Sequence, residues 1–165
     1  MTGVLPEREG IDVFSGTVAK EWIDVNNHMN VAYYVLAFDL GVDALWRTFG
    51  ITDDYIRTSN GSTFAVESHI IYLRELKVNE PFIITSQVIG FDDKRVHQFQ
   101  RMYHEAEGYL AATAEWMNLH VDLGSRRVTP WPDAIRNRIG EFQKSHAHVA
   151  EPLELGHTMR VKNSY

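Results

Sequence analysis

The sequence contains no cysteine. This absence excludes disulfide bonds, a thiolate nucleophile and metal sites built from thiolate ligands. The chain has no excess of basic residues either, because 16 basic residues stand against 22 acidic ones and give a formal net charge of −6 at pH 7. A protein without a positive excess lacks the electrostatic footprint of a nucleic-acid binder. We therefore expect no nucleic-acid partner.

Long hydrophobic runs and phosphate-binding loops are also missing. No apolar run approaches the roughly 20 residues that a membrane-spanning helix needs, and the first ten residues lack the apolar core of a signal peptide. We therefore expect no membrane insertion and a cytoplasmic location. No glycine-rich phosphate loop is present. Eight histidines occur, but they lack the paired spacing of a zinc site, so we expect no metal.

The clearest periodic pattern lies at residues 31–49. Apolar side chains recur there at helical spacing, which predicts one long amphipathic helix. Asn30 is placed to cap its start, and Gly50 is placed to end it. The apolar stripe consists of Val31, Tyr34, Val35, Phe38, Val42, Leu45, Trp46 and Phe49.

Strand-like patterns surround this helix. Five strands are predicted at residues 11–23, 64–74, 81–91, 94–105 and 109–123. The last three are joined by short connections, so we expect antiparallel pairing. Residues 52–62 are rich in turn formers and predict a loop that can hold a short helical turn, whereas residues 133–144 predict a short helix. Residues 145–165 show little pattern and are expected to form a C-terminal surface arm or to be partly disordered.

This order of elements predicts an α+β domain, in which a curved five-stranded antiparallel sheet wraps one long central helix. The domain comprises residues 1–144 and includes the short C-terminal helix, and residues 145–165 form the arm. Such a sheet leaves its edges and one face uncovered, and a second copy of the chain could cover them. We therefore expect a homodimer or a dimer of dimers.

The most informative segment is the polar one that precedes the helix. Asp24, Asn26 and His28 place a carboxylate, an amide and an imidazole at every second position, so an extended chain would project all three to one side. The helix start that follows offers unpaired N–H groups, which can bind developing negative charge. This combination suits attack on a carbonyl group. The alternative is structural: Asp24 and Asn26 cap a turn and the helix.

The motif Asp-x-Asn-x-His-Met-Asn at residues 24–30, together with the order of elements, resembles the hotdog-fold thioesterases. It is most similar to the branch that contains 4-hydroxybenzoyl-CoA thioesterase and the plant acyl-carrier thioesterases. Three later stretches resemble the betainyl-CoA thioesterases that accompany carnitine dehydrogenases in carnitine breakdown, namely residues 66–70, 93–97 and 114–122. The resemblance implies hydrolysis of a small acyl-CoA, with CoA as part of the substrate and no further cofactor.

The resemblance includes one departure that affects the mechanism. In 4-hydroxybenzoyl-CoA thioesterase the carboxylate before the helix is catalytic, and the matching position here is Asn26. The plant enzymes combine the same motif with a downstream acidic residue, for which Glu67 is the candidate. Glu67 would then be the general base, facing Asn26 and His28 across a dimer interface, with Asn26 positioning the water or the carbonyl. The alternative for Glu67 is simple exposure on an edge strand.

Further roles follow from the same hypothesis. His28 would polarise the substrate carbonyl together with backbone N–H groups of residues 29–31, so Met29 and Asn30 are counted as substrate-binding residues. Asp24 would orient its neighbours in the motif.

Other candidates surround this group. His69 is a candidate neighbour of Glu67, because strand alternation places both on one face with Ala65. A quaternary ammonium on the acyl group would bind best over an aromatic ring, for which Tyr33 and Phe64 are the candidates.

Two rival functions remain open at this point. Hotdog-fold enoyl-CoA hydratases carry a proline in the motif and a histidine five residues after the aspartate, whereas this chain has Asn27 and places His28 four residues after Asp24. A non-catalytic acyl-CoA-binding protein is the second rival, and as a sensor it would need a DNA-binding segment or a partner domain. A hotdog scaffold that hydrolyses thioesters only promiscuously is a variant of the main hypothesis.

Overall fold

Helix α1 forms the centre of the fold and spans Val31–Phe49, the bounds that the periodicity predicts. The computed structural model describes residues 8–161. The side chain of Asn30 accepts a hydrogen bond from the N–H of Ala32 at 3.0 Å, and Gly50 ends the helix in the left-handed region with φ of 91°. The predicted cap and terminus are confirmed.

An antiparallel sheet packs against α1. Its strands are β1 (Ile11–Thr17), β2 (Gly61–Tyr72), β3 (Pro81–Phe91), β4 (Arg95–His104), β5 (Leu110–Asp122) and β6 (Arg127–Val128). The order in the sheet is β1-β3-β4-β5-β2, and β6 pairs with β5. The predicted α+β hotdog architecture of a sheet wrapped around one helix is confirmed. The sixth strand was not predicted, because two residues carry no periodic signal.

Two further α-helices flank this unit. Helix α2, Asp53–Ser59, lies in the segment predicted as a loop with a short helical turn, and the Thr52 hydroxyl caps it by accepting from the Tyr55 N–H at 3.2 Å. Helix α3 spans Asp133–Ser145. Across residues 8–161, no helix is both long enough and apolar enough to cross a bilayer. The cytoplasmic location stays a prediction.

The first strand is shorter than the sequence predicts. It ends at Thr17, whose partner Pro81 is the first residue of β3, so the chain beyond Thr17 has no strand to pair with. Val18 donates its N–H to the Glu80 carbonyl at 3.0 Å, and a single 3₁₀ turn follows at Lys20–Trp22. The prediction of a strand over residues 11–23 is therefore wrong in its second half.

Helix α1 buries one side and exposes the other. Tyr34 and Phe38 are buried, whereas Val31 and Val35, which share the predicted stripe, are 54% and 38% exposed. The stripe is narrower than predicted because the sheet covers only part of the helix. Strand β2 is an edge strand, so the exposed side of α1 lies beside an open sheet edge.

The C-terminal arm, residues 146–161 of the described chain, crosses the outer face of the sheet, which is the face turned away from α1. The Gly156 N–H donates to the Glu115 carboxylate at 2.9 Å, and the Gln87 amide donates to the Ala150 carbonyl at 3.2 Å. Pro152 is buried beneath this crossing. The arm therefore packs on the domain, and the domain boundary at residues 144–145 stays a prediction.

Acid should weaken the fold through His146. This side chain is 2% exposed, and its Nε2 accepts the Val88 N–H at 3.0 Å, which requires an unprotonated nitrogen. Burial lowers the pKa of His146, and burial also lowers the pKa of His120. The unfolded chain takes up these protons below about pH 6.5 while the folded chain does not, so stability is lost as pH falls through that range.

Thermal unfolding measured from pH 8 to pH 5 tests this expectation. The melting temperature should fall below about pH 6.5, and His146→Gln should fall less steeply because the amide oxygen accepts the same hydrogen bond without titrating. His148→Gln, which changes an exposed histidine of the same segment, serves as the control. An unchanged slope in His146→Gln would contradict the assignment.

Candidate active site

The polar motif forms a tight turn. The Asp24 N–H donates to the His28 carbonyl at 3.1 Å, and the Asn27 N–H donates to the Asp24 carbonyl at 3.0 Å. Asn27 has φ of 62°, a left-handed conformation that asparagine tolerates better than most residues. The Asp24 carboxylate accepts the Asn26 N–H at 2.8 Å, which stabilises the turn locally. The prediction that an extended segment projects the three side chains to one side is therefore wrong.

The turn nevertheless brings Asp24 and His28 close together. His28 Nδ1 lies 3.2 Å from the Met29 carbonyl and 3.9 Å from Asp24 Oδ1. A carbonyl oxygen can only accept, so Nδ1 carries the hydrogen in this arrangement and the neutral ring has its lone pair on Nε2. Asn26 is exposed, and its side chain makes no hydrogen bond to the described part of the chain.

His28 lines a cleft of about 200 Å³ at the start of α1, here called the His28 cleft. Its other lining residues are Met29, Val31, Tyr34, Tyr72, Leu73, Arg74 and Glu75. Thus the end of β2 and the segment after it meet the turn. The Met29 N–H donates to the Leu76 carbonyl at 2.8 Å, and the Leu76 N–H donates to the Tyr34 hydroxyl at 3.0 Å. These two bonds hold the segment that carries Glu75 against the helix start.

Tyr34 supports this cleft without supplying charge to it. The residue is 4% exposed, and burial raises the pKa of its hydroxyl to about 12. The ring makes a T-shaped contact with Tyr72, with centroids 5.3 Å apart. Tyr34 is therefore an uncharged, buried side chain, and Tyr72 packs against its ring.

Most N–H groups around the helix start already have partners. The Met29 N–H is bonded to the Leu76 carbonyl, and the Asn30 N–H is bonded to the Trp22 carbonyl at 2.9 Å. The Ala32 N–H is held by the Asn30 side chain. Of the three predicted donors at residues 29–31, only the Val31 N–H is bonded to no acceptor among residues 8–161. It also lies at the positive end of the α1 dipole.

Glu67 lies elsewhere, because a β-bulge interrupts β2 between Ala65 and Glu67. Ala65 pairs with Asn118, whereas Glu67 pairs with Met117, the preceding residue of β5. Consecutive residues of a strand face opposite sides, and paired residues share a side. Ala65 and Glu67 therefore face opposite sides of the sheet, and the prediction that they share a face is wrong.

Glu67 and His69 line a second cleft of about 250 Å³ on the outer face, here called the outer cleft. It also contains His97, whose Nε2 lies 2.8 Å from the Glu115 carboxylate, and His157 of the arm. Tyr72 pairs with Ala112 and faces the α1 side, so the two clefts lie on opposite faces of the sheet. In one chain, Glu67 and His69 are therefore separated from the turn.

The two predicted aromatic candidates also lie outside the His28 cleft. Tyr33 stacks on Trp22, with ring centroids 5.4 Å apart and planes at 10°. The Phe64 ring is covered by the guanidinium of Arg126 at 4.9 Å. Among the predicted site residues, the cleft therefore contains His28 and Met29, with Asn30 capping the adjacent helix and Asp24 beside the imidazole.

Sequence reasoning missed Tyr72, Arg74 and Glu75 as lining residues of the cleft. Tyr72 is the last residue of β2, and the charged pair Arg74 and Glu75 follows shortly after the strand. Polar residues at the end of a strand can indicate a functional site. Here, however, only the hydrogen bond between Met29 and Leu76 shows that the end of β2 lies against the turn at residues 24–28. Within residues 8–161, no three histidine or acidic side chains are grouped as a metal site would require.

Residues 18–139 match the model of the thioesterase-like superfamily. A betainyl-CoA thioesterase of Pseudomonas aeruginosa is 30% identical, over 88% of this chain and 92% of that protein. An L-carnitine dehydrogenase/betainyl-CoA thioesterase of Rhizobium meliloti is 34% identical over 79% of this chain. This chain matches about a quarter, 26%, of the length of that relative.

Structural comparison agrees with these matches. A hypothetical protein from Staphylococcus aureus, solved in complex with CoA, superposes with a TM-score of 0.87 and 28% sequence identity. The superposition covers 94% of this chain and 99% of the other. The predicted resemblance is confirmed, and the chain belongs to the thioesterase-like superfamily and has the hotdog fold.

Proposed function

We propose that the His28 cleft hydrolyses a small acyl-CoA thioester to the free acid and CoA, and that betainyl-CoA is its substrate. One observation carries this proposal: His28, Glu75 and Val31, whose N–H is bonded to no acceptor among residues 8–161, line one cleft at the start of α1. The names of the relatives support the betainyl group and a link to carnitine breakdown. The CoA complex of the Staphylococcus aureus protein supports CoA as the carrier.

In the proposed mechanism, His28 removes a proton from the attacking water. Its Nδ1–H is donated to the Met29 carbonyl, so the free Nε2 lone pair is available to accept that proton. The imidazolium that forms is stabilised by Asp24 and by Glu75, and Glu75 also accepts a hydrogen bond from the water and orients it. This arrangement makes His28 a base, whereas the sequence predicted that it polarises the carbonyl.

The remaining steps need a site for the oxyanion and an exit for the thiolate. Water attacks the thioester carbon, and the oxyanion is bound by the Val31 N–H at the helix start. Collapse of the tetrahedral intermediate breaks the carbon–sulfur bond. The thiolate leaves readily because ordinary thiols have a pKa of about 8.5, and it takes the proton from the imidazolium. Exposed Asn26 remains the candidate for holding the substrate beside the turn.

Self-association is part of the proposal. Edge strand β2 presents Val66 at 56% exposure, and its outer edge pairs with no other strand of the described chain. An open edge with apolar side chains is a template for pairing with a second copy, which gives a homodimer or, with a further interface, a dimer of dimers. Antiparallel pairing of two β2 strands continues one sheet and keeps the outer face of each copy on the same side. Glu67 therefore stays away from the partner's turn, and the mechanism proposed here does not use it as the base.

A charge on the β2 edge tests this assembly. Val66→Lys should shift the sedimentation coefficient from that of a dimer or larger species toward that of a monomer, because the ammonium would have to be buried. Val128→Lys, on the 44% exposed valine of β6, is the matched control and should leave the assembly intact. A wild-type chain that sediments as a monomer at micromolar concentration would refute the interface.

Release of CoA from a substrate panel tests the function itself. The panel contains betainyl-CoA, 4-hydroxybenzoyl-CoA and a medium-chain acyl-CoA, with an enoyl-CoA to detect hydration. We expect a steep preference for betainyl-CoA, measured as kcat/KM. Uniformly slow hydrolysis would favour a promiscuous scaffold, and hydration without CoA release would favour a hydratase; either result rejects the proposal.

A further inference from the structure

The His28 cleft has an aromatic side chain, Tyr72, whose ring is not covered by a cation from residues 8–161. Tyr72 is 45% exposed at the end of β2, and its T-shaped contact with buried Tyr34 fixes the ring in the cleft wall. A cation held over a tyrosine face is attracted by the ring quadrupole. Tyr72 and His28 line the same cleft.

Other aromatic rings near the site are already occupied. Arg126 lies 4.9 Å over the Phe64 ring, and Arg74 lies 3.6 Å over the Tyr109 ring. Tyr33 has one face stacked on Trp22. Among residues 8–161, no arginine or lysine lies over Tyr72. Of these rings, Tyr72 is therefore the one that can receive a cation from a ligand.

The charges around the cleft also favour a cationic group over an anionic one. Glu75 lines the cleft, and its carboxylate forms an ion pair with Lys77 at 3.2 Å. Arg74 is the one basic lysine or arginine side chain that lines the His28 cleft within the described residues, and its guanidinium is held on Tyr109. An acyl group in the cleft therefore meets a carboxylate and an open aromatic ring.

We propose that Tyr72 is the residue that determines specificity, and that with Glu75 it selects an acyl group bearing a quaternary ammonium over an uncharged group of the same shape. The inference rests on the proposed thioesterase function and deepens it. It replaces Tyr33 and Phe64 as the aromatic residues that contact the betaine group.

A pair of isosteric substrates isolates this effect. Betainyl-CoA and 3,3-dimethylbutyryl-CoA differ in that a carbon replaces the quaternary nitrogen. The ammonium also activates its carbonyl, equally in every variant, so the change in the ratio of kcat/KM between wild type and variant reports recognition of the charge. Wild type should prefer betainyl-CoA by at least about tenfold, a typical effect of a partly desolvated cation–π contact together with a nearby carboxylate. Tyr72→Leu should lower this ratio by about tenfold.

Two further variants sharpen the test. Tyr72→Phe keeps the ring and should retain most of the ratio, whereas Phe64→Leu should leave the ratio unchanged, because that ring is covered by Arg126. Melting temperatures check that each variant is folded. The inference is overturned if the wild type hydrolyses both substrates equally well, or if the ratio is unchanged in Tyr72→Leu. In either case, hydrolysis of both substrates still supports the proposed function. Failure to hydrolyse either substrate overturns the proposed function and the inference with it.

Discussion

Replacing His28 by alanine should lower kcat for acyl-CoA hydrolysis by about 10²- to 10⁴-fold, the range that positioned general bases contribute. The imidazole is the group of the turn whose free ring nitrogen can accept a proton from water, since Nδ1 is engaged with the Met29 carbonyl. KM should change little, because the lost interaction belongs to the transition state. Steady-state kinetics on betainyl-CoA measures both quantities.

The matched control is His157→Ala, which removes an exposed histidine from the outer cleft. It should stay within about threefold of wild type, a change smaller than the effect of a lost general base. A His28→Ala variant that is folded and retains its turnover would remove His28 from the mechanism. Near-equal losses in both variants would point to a structural effect that is not specific to the turn.

The second large effect is expected at Glu75. Glu75→Gln should lower kcat by about 10²-fold, because the amide keeps the shape of the side chain but loses the charge that stabilises the imidazolium. Glu67→Gln makes the same chemical change eight positions earlier in the chain, on the opposite side of the sheet. It should leave kcat nearly unchanged.

This pair of variants separates two complete mechanisms. If Glu67→Gln loses the activity and Glu75→Gln keeps it, the base predicted from the sequence is restored, and the two copies cannot be joined by antiparallel pairing of β2. Both variants are conservative changes at exposed positions, so loss of folding does not confuse the result. Circular dichroism and melting temperatures confirm this in the same preparations.

Sequence periodicity was enough to predict helix α1 and most of the sheet. The helix has strong capping at Asn30 and Gly50, and its bounds follow from local interactions alone. The strands after residue 60 alternate clearly, and β3, β4 and β5 pair with their neighbours in sequence. Strand β1 was predicted too long because its end depends on where its partner β3 begins, at Pro81.

The site was harder to predict because its geometry depends on two local irregularities. Alternation at residues 24–28 resembles a strand, but the Asp24 side chain and the left-handed Asn27 close a turn there. The bulge beside Glu67 shifts the register by one residue and reverses the face of each later side chain. The sequence carries no unambiguous signal for such a bulge.

Glu75 was missed for a different reason. Its approach to His28 depends on contacts between residues far apart in sequence, the bond from Met29 to Leu76 and the bond from Leu76 to Tyr34. These bonds join the segment after β2 to the turn and to α1, and they leave no local pattern in the sequence. The motif therefore pointed to the cleft at the helix start, whereas Glu75 as a lining residue of that cleft required the three-dimensional structure.

The most direct test of the account is a crystal structure with a ketone analogue of betainyl-CoA, in which a methylene replaces the thioester sulfur and prevents hydrolysis. We expect the acyl group to occupy the His28 cleft, with its carbonyl oxygen about 3 Å from the Val31 N–H and its carbonyl carbon beside His28. An acyl group bound in the outer cleft, next to Glu67 and His97, would contradict it.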